Sequence, residues 1–131
     1  MIELIIREAN TDDFESICPL IRDFVASFEP DPGQCEVSFQ RLMRSESALI
    51  LVAETGDTVV GYCLGFIHDT FYANGPVAWL EEIMVDSGHR RSGIASGLMQ
   101  AFEDWAKGNG AILSALATRR ASQFYEAIGY E

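Results

Sequence analysis

From position 81 to position 95 the chain reads Glu81-Glu82-Ile83-Met84-Val85-Asp86-Ser87-Gly88-His89-Arg90-Arg91-Ser92-Gly93-Ile94-Ala95. A strand ends in this stretch, and a loop of small and basic residues opens directly into a helix. The first backbone N–H groups of a helix have no internal partner and lie at the positive end of its dipole. Gly93 and Ala95 remove side chains that would block approach to those donors, and Arg90 and Arg91 add positive charge. The junction is therefore suited to a pyrophosphate. Just upstream, two adjacent acids on an apolar strand are costly unless used or solvated, so at least one of Glu81 and Glu82 is expected to have a role.

Two familiar phosphate motifs fail here. A phosphate-binding loop needs a Lys after its last Gly, and none is present. A dinucleotide fingerprint needs three glycines and an acid ~20 residues on, after the next strand. Gly93-Ile94-Ala95-Ser96-Gly97 is too compact, and Ala117, not an acid, follows the strand that ends at Leu116. Cys18, Cys35 and Cys63 are odd in number and far apart, fit neither zinc spacing nor a disulfide framework, and read as idle thiols. No metal is expected.

The remaining pattern resembles the GNAT superfamily of acetyl-CoA-dependent N-acetyltransferases. That family carries Gln/Arg-x-x-Gly-x-Gly/Ala at a strand-to-helix junction, and Arg90-Arg91-Ser92-Gly93-Ile94-Ala95 matches its three fixed positions. Ala121-Ser122-Gln123-Phe124-Tyr125-Glu126-Ala127-Ile128-Gly129-Tyr130 looks like the family's closing helix. The resemblance covers essentially the whole chain. Its departures are Thr118, where an Asn often precedes the closing helix, and an end at Glu131, where relatives add further strand structure.

The resemblance implies acetyl-CoA as cosubstrate. The backbone of Ile83, Met84 and Val85 would pair with the pantetheine arm like an added strand. The loop and helix start at Arg90, Arg91, Ser92, Gly93, Ile94, Ala95 and Ser96 would hold the pyrophosphate, and a backbone N–H at the strand end would steady the oxyanion. Tyr125 would serve as general acid, since a phenol of pKa ~10 can protonate a departing thiolate while neutral at pH 7. Adjacent strand residues face opposite sides, so one of Glu81 and Glu82 would look into the cleft, as base through a water or as anchor for a cationic amine. Which one stays open, and His68 and His89 are alternatives for the base. The acceptor would be a small, cationic primary amine that attacks acetyl-CoA directly in a ternary complex. A non-catalytic acyl-CoA-binding module on the same fold is the alternative. A homodimer is compatible with the resemblance.

The surrounding elements must position these groups. Residues 2–7 read as a strand, and Asn10-Thr11-Asp12-Asp13 offers caps for a helix carrying Phe14, Ile17, Ile21, Phe24, Val25 and Phe28 at helical spacing. Pro30-Asp31-Pro32-Gly33 is expected to stop that helix, with a second one over residues 36–44. Residues 48–54 and 58–68 form a hairpin about Thr55-Gly56-Asp57, and residues 77–85 are the next strand. A helix over residues 92–107 presents Ile94, Leu98, Phe102 and Trp105 on one stripe. A strand over 111–116 and a helix over 119–128 complete the order β-α-α-β-β-β-α-β-α. The fold class is α/β (α+β), a mixed, mostly antiparallel central sheet flanked by helices.

The 131 residues fit one domain; the resemblance implies a single N-acetyltransferase unit over 1–131, and the end at Glu131 raises the expectation that its final C-terminal strand is lacking. Formal net charge is −11, which opposes a duplex nucleic-acid partner. Residues 1–60 carry four basic and twelve acidic side chains, and residues 61–88 carry none and four. Residues 89–131 carry five and four, so the anion-welcoming region coincides with the junction described above. The most apolar stretches, 48–53 and 58–67, are far short of the ~20 residues a membrane span needs. The start is charged by Glu3 and lacks the apolar run of a signal peptide. A cytoplasmic protein is expected.

Overall fold

A computed structural model describes residues 3–25, 31–90 and 92–116, the last four by their backbone alone. Along the chain run β1 (Leu4–Glu8), α1 (Phe14–Phe24), α2 (Pro32–Met43), β2 (Ala48–Thr55), β3 (Thr58–His68), β4 (Val77–Val85), α3 (Ile94–Gly108) and β5 (Leu113–Leu116). Short 3-10 turns over Thr11–Asp13 and Ser87–His89 lead into α1 and out of β4. The expected closing helix over 119–128 lies outside the described residues. Among the described residues no helix is long and apolar enough to cross a membrane.

The strands form one sheet in the order β1-β2-β3-β4-β5, antiparallel except for the parallel pair β4–β5. Helices cover both faces, which explains why β2 and β3 read as nearly unbroken apolar runs. Leu49, Leu51 and Ala53 of β2 face α3, packing with Leu98, Met99 and Phe102. Ile50 and Val52 face the other way, with Ile17 and Leu20 of α1 and Phe39 of α2. α3 thus stands on one side of the sheet and α1 with α2 on the other.

Local chemistry accounts for most element boundaries. Asn10 and Asp13 form a reciprocal capping box at the start of the first helical segment. Asp13 also takes two hydrogen bonds from the Arg7 guanidinium, at 2.8 and 3.0 Å, tying β1 to that segment. α2 differs from the sequence expectation. Asp31-Pro32 does not merely end the preceding helix; it begins the next one. Asp31 is the N-cap, its carboxylate accepting from the Gly33 N–H at 3.0 Å, and Pro32 takes the first turn, where a missing N–H costs nothing. α3 starts two residues later than expected, after Gly93 at φ +85°.

Candidate active site

β4 is irregular at the place where the two acids sit. Leu64 of β3 pairs with Glu82 and the next residue, Gly65, pairs with Leu80, so Glu81 is an extra residue in the ladder. Such a bulge resets the alternation of side chains. Leu80 and Ile83, three positions apart, both enter the α3-facing core. Glu81 and Glu82 consequently share the opposite face, the side of α1 and α2, along with Trp79 and Met84. The expectation that the adjacent acids point to opposite sides is corrected by this extra residue.

Each carboxylate has an aromatic hydrogen-bond donor. The Tyr62 hydroxyl donates to Glu82 Oε1 at 2.8 Å, and the Trp79 indole N–H donates to Glu81 Oε2 at 2.8 Å. Tyr62 is buried and Glu82 half-buried, whereas Glu81 is exposed. Burial pushes the Glu82 carboxyl above the usual carboxylate range; the Tyr62 hydrogen bond opposes this and the charge of Glu81 adds to it. Burial, reinforced by the nearby Glu82, also raises the Tyr62 phenol, which therefore stays protonated and able to donate. Neither aromatic partner was singled out by sequence reasoning. Gly65 inside an apolar strand was the available signal, because such a glycine often marks a bulge on the ladder.

The same segment of β4 is open along one edge. β5 pairs only with Val77–Leu80 of β4, and among the described residues no strand lies beside Glu81–Val85 on that side. The Asp86 N–H donates to the Val60 carbonyl at 2.8 Å, and the Met84 carbonyl also points toward β3, near Gly61. Alternation along the strand then turns the N–H and C=O groups of Ile83 and Val85 to the open edge. Those of Met84 are engaged with β3, so at this edge the backbone groups presented are those of Ile83 and Val85.

Beyond β4, Asp86 organises the turn. Its carboxylate accepts from the Gly88 N–H at 3.2 Å and contacts His89 Nδ1 at 3.0 Å. The His89 bond holds the Asp86 carboxyl below the usual range. His89 is thus tied into the loop, away from the two acids' aromatic clamps. Ser92 Oγ donates to the His89 carbonyl. Arg90 folds back, its Nε donating to the Val85 carbonyl at 3.2 Å and its guanidinium lying 3.9 Å from Met84 Sδ. The first intrahelical bond of α3 runs from the Gly97 N–H to the Gly93 carbonyl. The N–H groups of Ile94, Ala95 and Ser96 therefore lie ahead of the helical ladder, at the end where an anion is favoured.

Arg91, Thr118 and Tyr125 lie outside the described residues. His68 is at the far end of β3, opposite Val77, and is not brought to Glu81 and Glu82. Burial pushes the Cys63 thiol up to about 12, and burial raises that of Cys35 as well, so both are poor nucleophiles. Among the described residues no group of three or more His, Cys, Asp or Glu side chains could hold a metal ion.

The site thus combines an open strand edge, free backbone N–H groups at a helix N-terminus and a bulge between two acids and the core. The profile of the acetyltransferase (GNAT) family matches residues 7–130. An aminoglycoside N(6')-acetyltransferase type 1 of Acinetobacter genomosp. 13 is 34% identical over 110 residues, covering 77% of this chain and 75% of that protein. The uncharacterised N-acetyltransferase YhfO of Bacillus subtilis (strain 168) is 26% identical over 132 residues, covering 96% and 89%. In three dimensions, the aminoglycoside N-acetyltransferase AAC(6')-Iy in complex with CoA superimposes with a TM-score of 0.88 at 19% identity, over 100% of this chain and 90% of that one. The chain belongs to the acetyltransferase (GNAT) family. It is an N-acetyltransferase whose cosubstrate is acetyl-CoA.

Proposed function

We propose that the enzyme acetylates a primary amine of a cationic small molecule of the amino-sugar class. The observation that carries this reading is the pair Glu81 and Glu82, both on the α1/α2 face at the point where β5 leaves β4. Residues 61–88 contain four acids and no basic residue, so the field on this side favours a cation. Relatives named as aminoglycoside N-acetyltransferases support the amino-sugar class.

In this reading the N–H groups of Ile94, Ala95 and Ser96, with Arg91 and Ser92 in the preceding loop, hold the pyrophosphate. The pantetheine arm lies along the edge groups of Ile83 and Val85, and one of those N–H groups polarises the thioester carbonyl. The acceptor enters as an ammonium ion paired with Glu81 and Glu82. Glu82 takes a proton from it, and the free amine attacks the carbonyl carbon. The tetrahedral intermediate then collapses by breaking the C–S bond; Tyr125 protonates the CoA thiolate, and the second proton, lost from the nitrogen as the amide forms, restores the phenol. Neither Cys35 nor Cys63 is activated for a covalent acyl intermediate.

Release of CoA thiol, followed with matched cationic, neutral and anionic primary amines, tests the proposal. Cationic amino sugars should show the highest kcat/KM. Equal values across the three charge classes would remove the acceptor assignment.

A further inference from the structure

Among the described residues Tyr62 is one of the largest fully buried side chains, and its hydroxyl donates to Glu82. It reaches there diagonally: Tyr62 pairs with Met84 across β3 and β4, while Glu82 pairs with Leu64. Diagonal neighbours on one sheet face are within reach of a long aromatic side chain. The ring packs with the core on the α1/α2 side, so the hydroxyl has a fixed position. Only Oε1 of Glu82 is taken by the phenol. We infer that Tyr62 is a positioning residue for acetyl transfer, holding Oε1 of Glu82 so that Oε2 is aimed at the acceptor amine.

This inference rests on the reading of Glu82 as the group that takes the amine's proton. A buried carboxylate left without a donor would be poorly solvated and free to rotate. The phenol supplies that donor from a rigid strand, and it cannot compete for the acceptor's proton because it remains protonated itself. The groups facing Glu82 are Tyr62 from β3, Glu81 from β4 and Cys35 from α2. Of these, Tyr62 alone is hydrogen-bonded to it among the described residues. Glu81 is turned to Trp79, and the Cys35 thiol, itself raised by burial and by the charge of Glu82, stays neutral beside it.

The test combines Tyr62→Phe and Glu82→Gln with pH profiles of kcat/KM for a cationic amine. Y62F should lower kcat about tenfold, a fraction of the hundredfold or more that loss of a general base costs. KM for acetyl-CoA should stay unchanged. Removing a donor to the carboxylate raises the pKa of the acid, so the acid limb of the profile should move to higher pH in Y62F. It should vanish in E82Q. The double variant should be no slower than E82Q alone.

An impaired E82Q with an unmoved limb in Y62F would overturn the role of Tyr62 and leave that of Glu82 standing. An E82Q enzyme as active as the wild type would overturn both. Should Y62F fail to fold, the wild-type enzyme decides the matter through the Cζ resonance of Tyr62, labelled with carbon-13. The inference requires that resonance to titrate with the midpoint of the acid limb in the wild type and not in E82Q. A resonance flat across the limb would overturn it.

Discussion

Phe102 of α3 packs directly onto Gly65 of β3, so closely that a Cβ at position 65 would overlap the ring. Gly65 is also the residue whose pairing with Leu80, next to the Leu64–Glu82 pair, defines the bulge of β4. One glycine therefore serves the packing of a helix on the sheet and the irregularity that sets Glu81 and Glu82 on one face. Gly65→Ala should destabilise the protein by about 1–3 kcal/mol, the usual cost of overpacking a core. Urea denaturation at neutral pH measures this, and an unchanged midpoint would show that the ring yields without cost.

Gly93 presents a different kind of constraint. Its φ of +85° is a left-handed conformation, yet nothing lies within 4 Å of where a Cβ would be. Gly93→Ala should therefore cost about 1–2 kcal/mol of backbone strain without a clash. Strain at the helix N-cap tilts the N–H groups of Ile94, Ala95 and Ser96, so KM for acetyl-CoA should rise several-fold while kcat at saturation changes little. A fall in kcat with KM unaltered would contradict the assignment of these groups to cosubstrate binding.

Asp13 is buried and bonded to the partly exposed Arg7, and the Arg7 guanidinium holds its carboxyl below the usual carboxylate range. An acid whose folded pKa is depressed contributes stability that is complete above its unfolded value of ~3.9 and disappears as pH falls through the folded value. Asp13→Asn should cost about 2 kcal/mol at neutral pH, through the lost charge-assisted bonds and the weakened capping box. The difference from wild type should shrink as pH is taken below the unfolded value of ~3.9 and through the lower folded one. Denaturant titrations at neutral and at acid pH check this.

Glu82 has the opposite sign. Burial raises its folded pKa above the unfolded value of ~4.3, so between the two the folded state binds more protons and stability falls as pH rises. Glu82→Gln retains an oxygen for the Tyr62 hydroxyl and removes the buried charge. Its melting temperature relative to wild type should improve on going from pH 4 to pH 8. That gain would accompany a loss of activity, the usual relation at a functional site.

Much of this arrangement was legible in the residues. The apolar stripe of Ile94, Leu98 and Phe102, the hairpin about Gly56 and the small, basic run before α3 each state a local rule, and the sheet and the helix N-terminus follow those rules. The facing of Glu81 and Glu82 was not legible, because period-two alternation assumes a regular strand and the extra residue appears only once β3 is paired in register. The bond between Tyr62 and Glu82 joins positions 20 apart in sequence, so neither residue announces the other. The start of α2 was misread because Pro32 signals both an end and a beginning. Only the Asp31 cap before it distinguishes the two.

The most direct measurement is a titration of the nitrogen-15-labelled enzyme with CoA, following backbone amides. Shifts concentrated at Ile83, Val85, Ile94, Ala95 and Ser96 are predicted, with the amide of Met84, already engaged with β3, moving less. Saturable binding that leaves the amides of α3's first turn and the β4 edge unmoved would contradict the site assigned here.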